Sequence, residues 1–179
     1  MRKVLYVFGL LTDADVEWIA RTGTRRRIKD GEVLIQEGKH VDSMILLLQG
    51  EFSVSIQGAG EVARLGVGEI VGEMSYVDSA PPSATVKALG DCLALFLDKR
   101  TLTQKLDADV GFGYRFYRAL AIFLADRLRG TERRLSYGSS TDLADEAVLK
   151  DELDMGILDH VSMAGQRFHR ILKTLTSVG

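Results

Sequence analysis

A chain of 179 residues holds one domain, or one domain with an appendage. With 46% hydrophobic and 27% charged residues it is too apolar for a disordered tail, and no apolar run reaches the ~18 residues of a membrane span. A formal net charge of −2 gives no global basic field for nucleic acid or an anionic membrane, and the single cysteine, Cys92, excludes an internal disulfide and a cysteine zinc site.

Met1-Arg2-Lys3 before the apolar run Val4 to Leu11 imitates the start of a signal peptide, but no small-x-small cleavage site follows. The run is expected in the core and the protein in the cytoplasm. Thr12 and Asp15 form a helix-capping pair, after which Val16, Ile19 and Ala20 give one apolar face to a helix ending near Gly23. Trp18 is expected at the edge of the core.

From Thr24 to Asp98 the period changes to two. Phe52, Val54 and Ile56 alternate with polar residues in Glu51–Gln57, Val33 and Ile35 mark a short strand, and Met44 to Leu48 reads as a strand buried on both faces. Thr85 to Leu89 and Cys92 to Leu97 are two more, around Gly90-Asp91. Turns at Lys29-Asp30-Gly31, Glu37-Gly38-Lys39, Gln49-Gly50, Gly58-Ala59-Gly60 and Gly66-Val67-Gly68 separate the runs. The expected fold is mainly β with flanking helices: an eight-stranded jelly-roll β-barrel followed by C-terminal helices. Arg25-Arg26-Arg27 on a strand cannot share one face and reads as solvated edge charge.

Beyond Asp98 the pattern is helical, with a short helix over Lys99–Leu106 and a long one over Val110–Leu135. Phe112, Phe116, Leu120 and Phe123 make one face of the long helix. Tyr117, Ala121, Leu124, Leu128, Thr131 and Leu135 step by four and three, a seam that predicts a homodimer. Arg127, Arg129, Arg133 and Arg134 read as decoration of a solvent-exposed flank. Ser136 to Thr141 is a linker, so residues 1–138 form the domain and 139–179 a linker and helical extension. The extension is acidic over Asp142–Asp159 and basic after it, with Phe168, Ile171, Leu172 and Leu175 on one face. That face must be covered, by folding back on the barrel, by swapping onto a dimer mate or by docking on a protein partner.

The segment Gly68 to Val86, GEIVGEMSYVDSAPPSATV, carries the chemistry. Gly72 permits close backbone approach, and a helical turn starting at Glu73 presents amides to an anion. Ser75, Ser83 and Thr85 add hydroxyls, and Glu73 is a lone carboxylate able to accept bonds from vicinal sugar hydroxyls. A carboxylate beside amides suits a ribose phosphate better than bare phosphate. The blander readings are that Glu73 caps a short helix and that Ser83 and Thr85 satisfy backbone groups at a turn.

At these residues the sequence resembles the cyclic nucleotide-binding domain family, in the manner of catabolite-activator-type regulators and kinase regulatory subunits. The matches are Gly31 to Gly38 (GEVLIQEG), Leu48 to Glu51 (LQGE), Gly68 to Met74 (GEIVGEM) and Ser83 to Ala88 (SATVKA), and the likeness runs from about Leu10 to Leu135. The resemblance implies that Gly72, Glu73, Met74 and Ser75 bind phosphate through backbone amides and a ribose hydroxyl through Glu73. It implies that Pro82, Ser83, Ala84 and Thr85 complete the site, that Thr131 of the long helix meets the base, and that the ligand is cAMP or cGMP with no metal. Thr131 is equally a small polar seam residue. Relatives that bind cyclic nucleotides carry an arginine where Pro82 stands, and losing such a charge-assisted bond is worth roughly 1.5–3 kcal/mol. Lys87, Arg127 and Arg129 are the available substitutes.

Barrels of this kind also host metal-dependent enzymes, but the three histidines, His40, His160 and His169, have no ligand-like spacing and no nucleophile–base pair is visible. No enzymatic activity is expected. The stretch after Gly138 is short and acidic for a DNA-reading domain, so no DNA and no membrane are expected as partners. The reading is a stand-alone regulatory sensor of a cyclic or related nucleotide, bound in an atypical mode and signalling through protein contacts. The alternative is a ligand-free dimerisation or docking module of the same fold.

Overall fold

The computed structural model describes residues 9–136, with side chains as far as Glu132. The apolar run from Val4 to Phe8, the linker with its boundary at 138, the extension and the Leu135 side chain lie outside the described residues.

Helix α1 (Asp13–Thr22) starts where the sequence places it. The Asp15 amide donates to Thr12 Oγ1 at 3.2 Å and the Thr12 amide to Asp15 Oδ2 at 2.8 Å, a reciprocal cap that satisfies two otherwise orphaned donors. Val16, Ile19 and Ala20 are buried, and the Trp18 ring meets Phe112 edge-on at 5.4 Å.

Six strands follow: β1 (Thr24–Ile28), β2 (Val33–Ile35), β3 (Ser43–Ile56), β4 (Gly60–Leu65), β5 (Ile70–Val71) and β6 (Thr85–Asp98). They form one antiparallel sheet in the order β1-β6-β3-β4, with β2 also on β6 and β5 also on β3. Among the described residues the strands number six and not the expected eight, because two glycine-marked breaks bend strands without ending them. Gln49 pairs with Leu93 and Glu51 with Leu89, so Gly90 and Asp91 are looped out and the ladder resumes beyond. Gly50 sits at this bend with φ +95°, and a Cβ there would lie 2.6 Å from Cys92 Sγ. Split at their bends, β3 and β6 supply the two segments the sequence counts separately.

The sheet is buried on both faces. Ile45, Leu47, Phe52, Val71, Val86 and Ala94 pack on its inner face, while Met44, Leu46, Leu48, Ile70, Leu95 and Leu97 turn toward the helices. That alternation explains why Met44–Leu48 is apolar without interruption. Helix α2 (Met74–Val77) lies between β5 and β6. Helix α3 (Lys99–Ala108) is capped by Asp98, whose Oδ1 accepts the Thr101 amide at 2.8 Å. Helix α4 (Val110–Ser136) then lays Phe112, Phe116, Leu120 and Phe123 against the sheet, as their spacing predicts. Arg115 clamps α4 to α1 through two bonds to Asp15, at 2.7 and 2.9 Å. Tyr117 and Leu128 remain 50% and 61% exposed on the other side of α4.

Candidate functional site

Strand β5 pairs with Leu46 and Ile45 of β3, which brings the next residue, Gly72, against the Ser43 carbonyl. Its φ is +82°, and a Cβ there would stand 2.6 Å from that oxygen. The close approach inferred for Gly72 is therefore to the fold's own backbone. The chain then turns into α2, and the Tyr76 and Val77 amides both donate to the Glu73 carbonyl.

The Glu73 side chain makes no capping bond and turns inward to 1% exposure. It is neither a lone carboxylate nor a helix cap, because Arg127 of α4 meets it. Arg127 Nη1 donates to Glu73 Oε1, and Nη2 donates to the Ile70 carbonyl at 3.1 Å and stands 3.5 Å from Glu69 Oε2. The guanidinium also lies 4.8 Å from the centre of the Phe123 ring. Reading Arg127 as surface decoration is thus corrected: it reaches the site. Its place follows from helix phase, since Phe116, Leu120 and Phe123 step directly to position 127. Burial pushes the Glu73 carboxyl above its usual range, helped by the charge of Glu69 and opposed by Arg127 and Lys99.

Lys99, at the start of α3, is a second cation that the sequence reading missed. Its Nζ donates to Ser75 Oγ at 2.8 Å, and Ser75 Oγ donates to the Gly72 carbonyl at 3.3 Å. Lys99 is 9% exposed, and burial pulls its ammonium pKa down. A lysine in the first helical turn runs against the helix dipole, and that was the available signal. Met74 is exposed. Tyr76 ties α2 to α3 by a 3.0 Å hydroxyl contact with Thr103 and to α4 by an edge-on contact with Phe116.

The second half of the predicted site belongs to the Gln36–Gly38 turn. The Pro82 carbonyl accepts the Gly38 amide at 2.8 Å, and Thr85 Oγ1 accepts the Glu37 amide at 3.1 Å, which is the backbone-satisfying role expected of a turn residue. Ser83 is exposed and Ala84 half-buried. Thr85 also lines an open groove of about 460 Å³ with Gln36, Glu37, Ser55, Gln57 and Gly58. No described hydrogen bond joins this half to Gly72–Ser75. Thr131 is exposed and donates to the Arg127 carbonyl at 3.1 Å. Of the three substitute cations only Arg127 reaches Glu73. Lys87 is exposed between buried Val86 and Ala88, and Arg129 is exposed on α4. Among the described residues no cluster of three His, Cys, Asp or Glu is placed to hold a metal, and no helix is long and apolar enough to cross a membrane.

Residues 25–109 match the family model described as the cyclic nucleotide-binding domain. A protein of Rhodopseudomonas palustris described as a potassium channel is 31% identical over 94 residues, which are 51% of this chain and 23% of that one. The chain spans about a quarter or less of the curated relatives it matches. Among solved structures, a cyclic nucleotide-binding domain from Methylobacillus flagellatus superposes with a TM-score of 0.67 at 25% identity, covering 79% of this chain and 85% of that one. The catabolite activator protein of Thermus thermophilus shares the fold with a TM-score of 0.62 at 22% identity, over 96% of this chain and 87% of its own. Residues 25–109, with their antiparallel sheet and their Gly72-Glu73 turn, match the cyclic nucleotide-binding domain, and the chain shares the fold of the solved domains of that kind.

Proposed function

We propose that this chain is a regulatory sensor module. It binds cAMP, cGMP or a related nucleotide in an atypical mode over Gly72–Thr85, and it signals through protein contacts without catalysing a reaction. The match of residues 25–109 to the cyclic nucleotide-binding domain supports the ligand class. The observation that carries the reading is the buried Glu73, joined through Arg127 to α4. The binding segment and the helix with the exposed Tyr117 and Leu128 thereby share one ion pair. The mode is atypical because Pro82 supplies a carbonyl to Gly38 and no positive charge. Its output runs through a homodimer along Tyr117, Leu124, Leu128 and Leu135 and through a protein partner on the extension, in the cytoplasm, without DNA or membrane.

A second reading, a ligand-free docking module, is favoured by a different observation. Ile45, Leu47, Phe52 and Val86 fill the inner face of the sheet, and Glu73 already has a partner. A thermal-shift panel of mononucleotides, cyclic nucleotides and cyclic dinucleotides separates the two. A specific ligand at about 100 times its Kd adds about 2.7 kcal/mol to stability. A specific shift supports the sensor, and a flat panel overturns it in favour of the docking module.

A further inference from the structure

The charges around α2 balance. Glu69 and Glu73 carry the negative charge, and Arg127 and Lys99 the positive. The two cations are placed differently. Lys99 is held under Ser75 at the root of α3, whereas Arg127 lies late in α4 and is 25% exposed. Beyond it Leu128, Arg129, Thr131 and Glu132 are all exposed. Arg127 is the charge that can leave Glu73 without dismantling the core.

A ligand hydroxyl that takes Glu73 Oε1 competes with the Arg127 Nη1 bond to that oxygen. The guanidinium would then remain over Phe123, partly withdrawn from water and without its partner, which is unfavourable. A neutral ligand does nothing to offset that loss. A ligand that also carries an anionic group restores an ion pair by accepting Arg127. The segment Pro81–Thr85 contributes no cation of its own, and Lys87 and Arg129 stand exposed elsewhere. We propose that Arg127 is the anion-binding residue of this site, exchanging the Glu73 carboxylate for an anionic group of the ligand. It thereby restricts the site to molecules that carry a hydroxyl for Glu73 and an anion for Arg127 together. The inference rests on the nucleotide-sensor reading and names the charge that reading otherwise lacks.

The test is calorimetric titration of the full chain with cAMP and with adenosine, for wild type, Arg127→Gln and Arg127→Lys. Wild type should bind cAMP at least about tenfold more tightly than adenosine, with the difference shrinking as salt is raised. Arg127→Gln should lower cAMP affinity by about tenfold or more while leaving adenosine affinity unchanged or improved, and Arg127→Lys should restore part of the loss. A merely structural role would weaken both ligands alike. The wild-type comparison and its salt dependence stand even if a variant folds poorly. Equal cAMP binding by wild type and Arg127→Gln, or adenosine binding as tightly as cAMP to wild type, overturns the role of Arg127 and leaves the sensor reading intact. Absence of binding by any nucleotide to wild type overturns both.

Discussion

Helix α4 carries two arginines that each meet a buried carboxylate, and the two pairs behave oppositely. Arg115 holds Asp15 in a two-bond clamp, and Asp15 also accepts the Thr12 amide within the α1 cap. Burial alone would raise the Asp15 carboxyl, but the bonds from Arg115 and Thr12 outweigh it and hold the group below its usual range. Glu73 also has an arginine, yet burial and the neighbouring Glu69 prevail and its carboxyl is pushed up. One pair therefore stabilises the fold, and the other keeps a carboxylate where it is electrostatically uncomfortable. A group held against its own solvation is the better candidate for binding, and that is the lesson of the contrast.

Removing what the two pairs share should have the largest effect. Phe116 is buried between them on the core face of α4, so Phe116→Ala should cost about 3–5 kcal/mol in a denaturant melt. A loss below about 1 kcal/mol would mean that the ion pairs, and not the apolar stripe, hold α4 in place. The opposite side of the same helix should respond differently. Leu128 is 61% exposed on the single chain, so Leu128→Asp should leave the stability of the monomer within about 0.5 kcal/mol of wild type. If the seam pairs two chains, the same change buries a charge in that interface, at a cost of about 3 kcal/mol or more. Light scattering should then show a dimer for wild type and a monomer for the variant, and a monomeric wild type at high concentration removes the dimer.

Acid should separate the two carboxylates themselves. Asp15 has a folded pKa below its ordinary 3.8, so its stabilisation is complete above that value and is lost as pH falls through the folded pKa. Asp15→Asn should cost about 1 kcal/mol at neutral pH, since Arg115 is partly solvated, and should flatten the acid limb of the stability curve. Glu73 has the reverse sign: its raised folded pKa means that stability increases as pH falls from the folded value toward the ordinary 4.5. Glu73→Gln should therefore change stability at neutral pH by less than Asp15→Asn does. Urea melts of both variants from pH 3 to 7 check the ordering, and equal losses would erase the distinction between the pairs.

How much of this was legible depended on how local each cause is. The Thr12–Asp15 cap was readable because both partners sit three residues apart, and Met44–Leu48 because uninterrupted apolarity has few meanings. The strand count was not, since a glycine of positive φ marks a bulge as readily as a turn, and only the pairing of Gln49 with Leu93 and Glu51 with Leu89 decides between them. The segment Gly68–Val86 is legible, but Glu73 looks solitary in the sequence because its partner lies 54 positions away. Arg127 continues the apolar stripe of α4, and weighing its charge above its phase put it on the wrong face. Lys99 and the close approach of Gly72 to Ser43 depend on strand register, which one sequence does not display.

The central claim, that the site binds a cyclic nucleotide weakly because position 82 carries no cation, is tested most directly by titrating cAMP and cGMP into wild type and Pro82→Arg in a calorimeter. The bond from the Gly38 amide is made to the backbone carbonyl of residue 82, so Pro82→Arg is expected to keep it while adding a charge and an amide donor. The account predicts weak binding by wild type and a gain of about tenfold or more, at least about 1.4 kcal/mol, in the variant. Tight wild-type binding that Pro82→Arg leaves unchanged would contradict it.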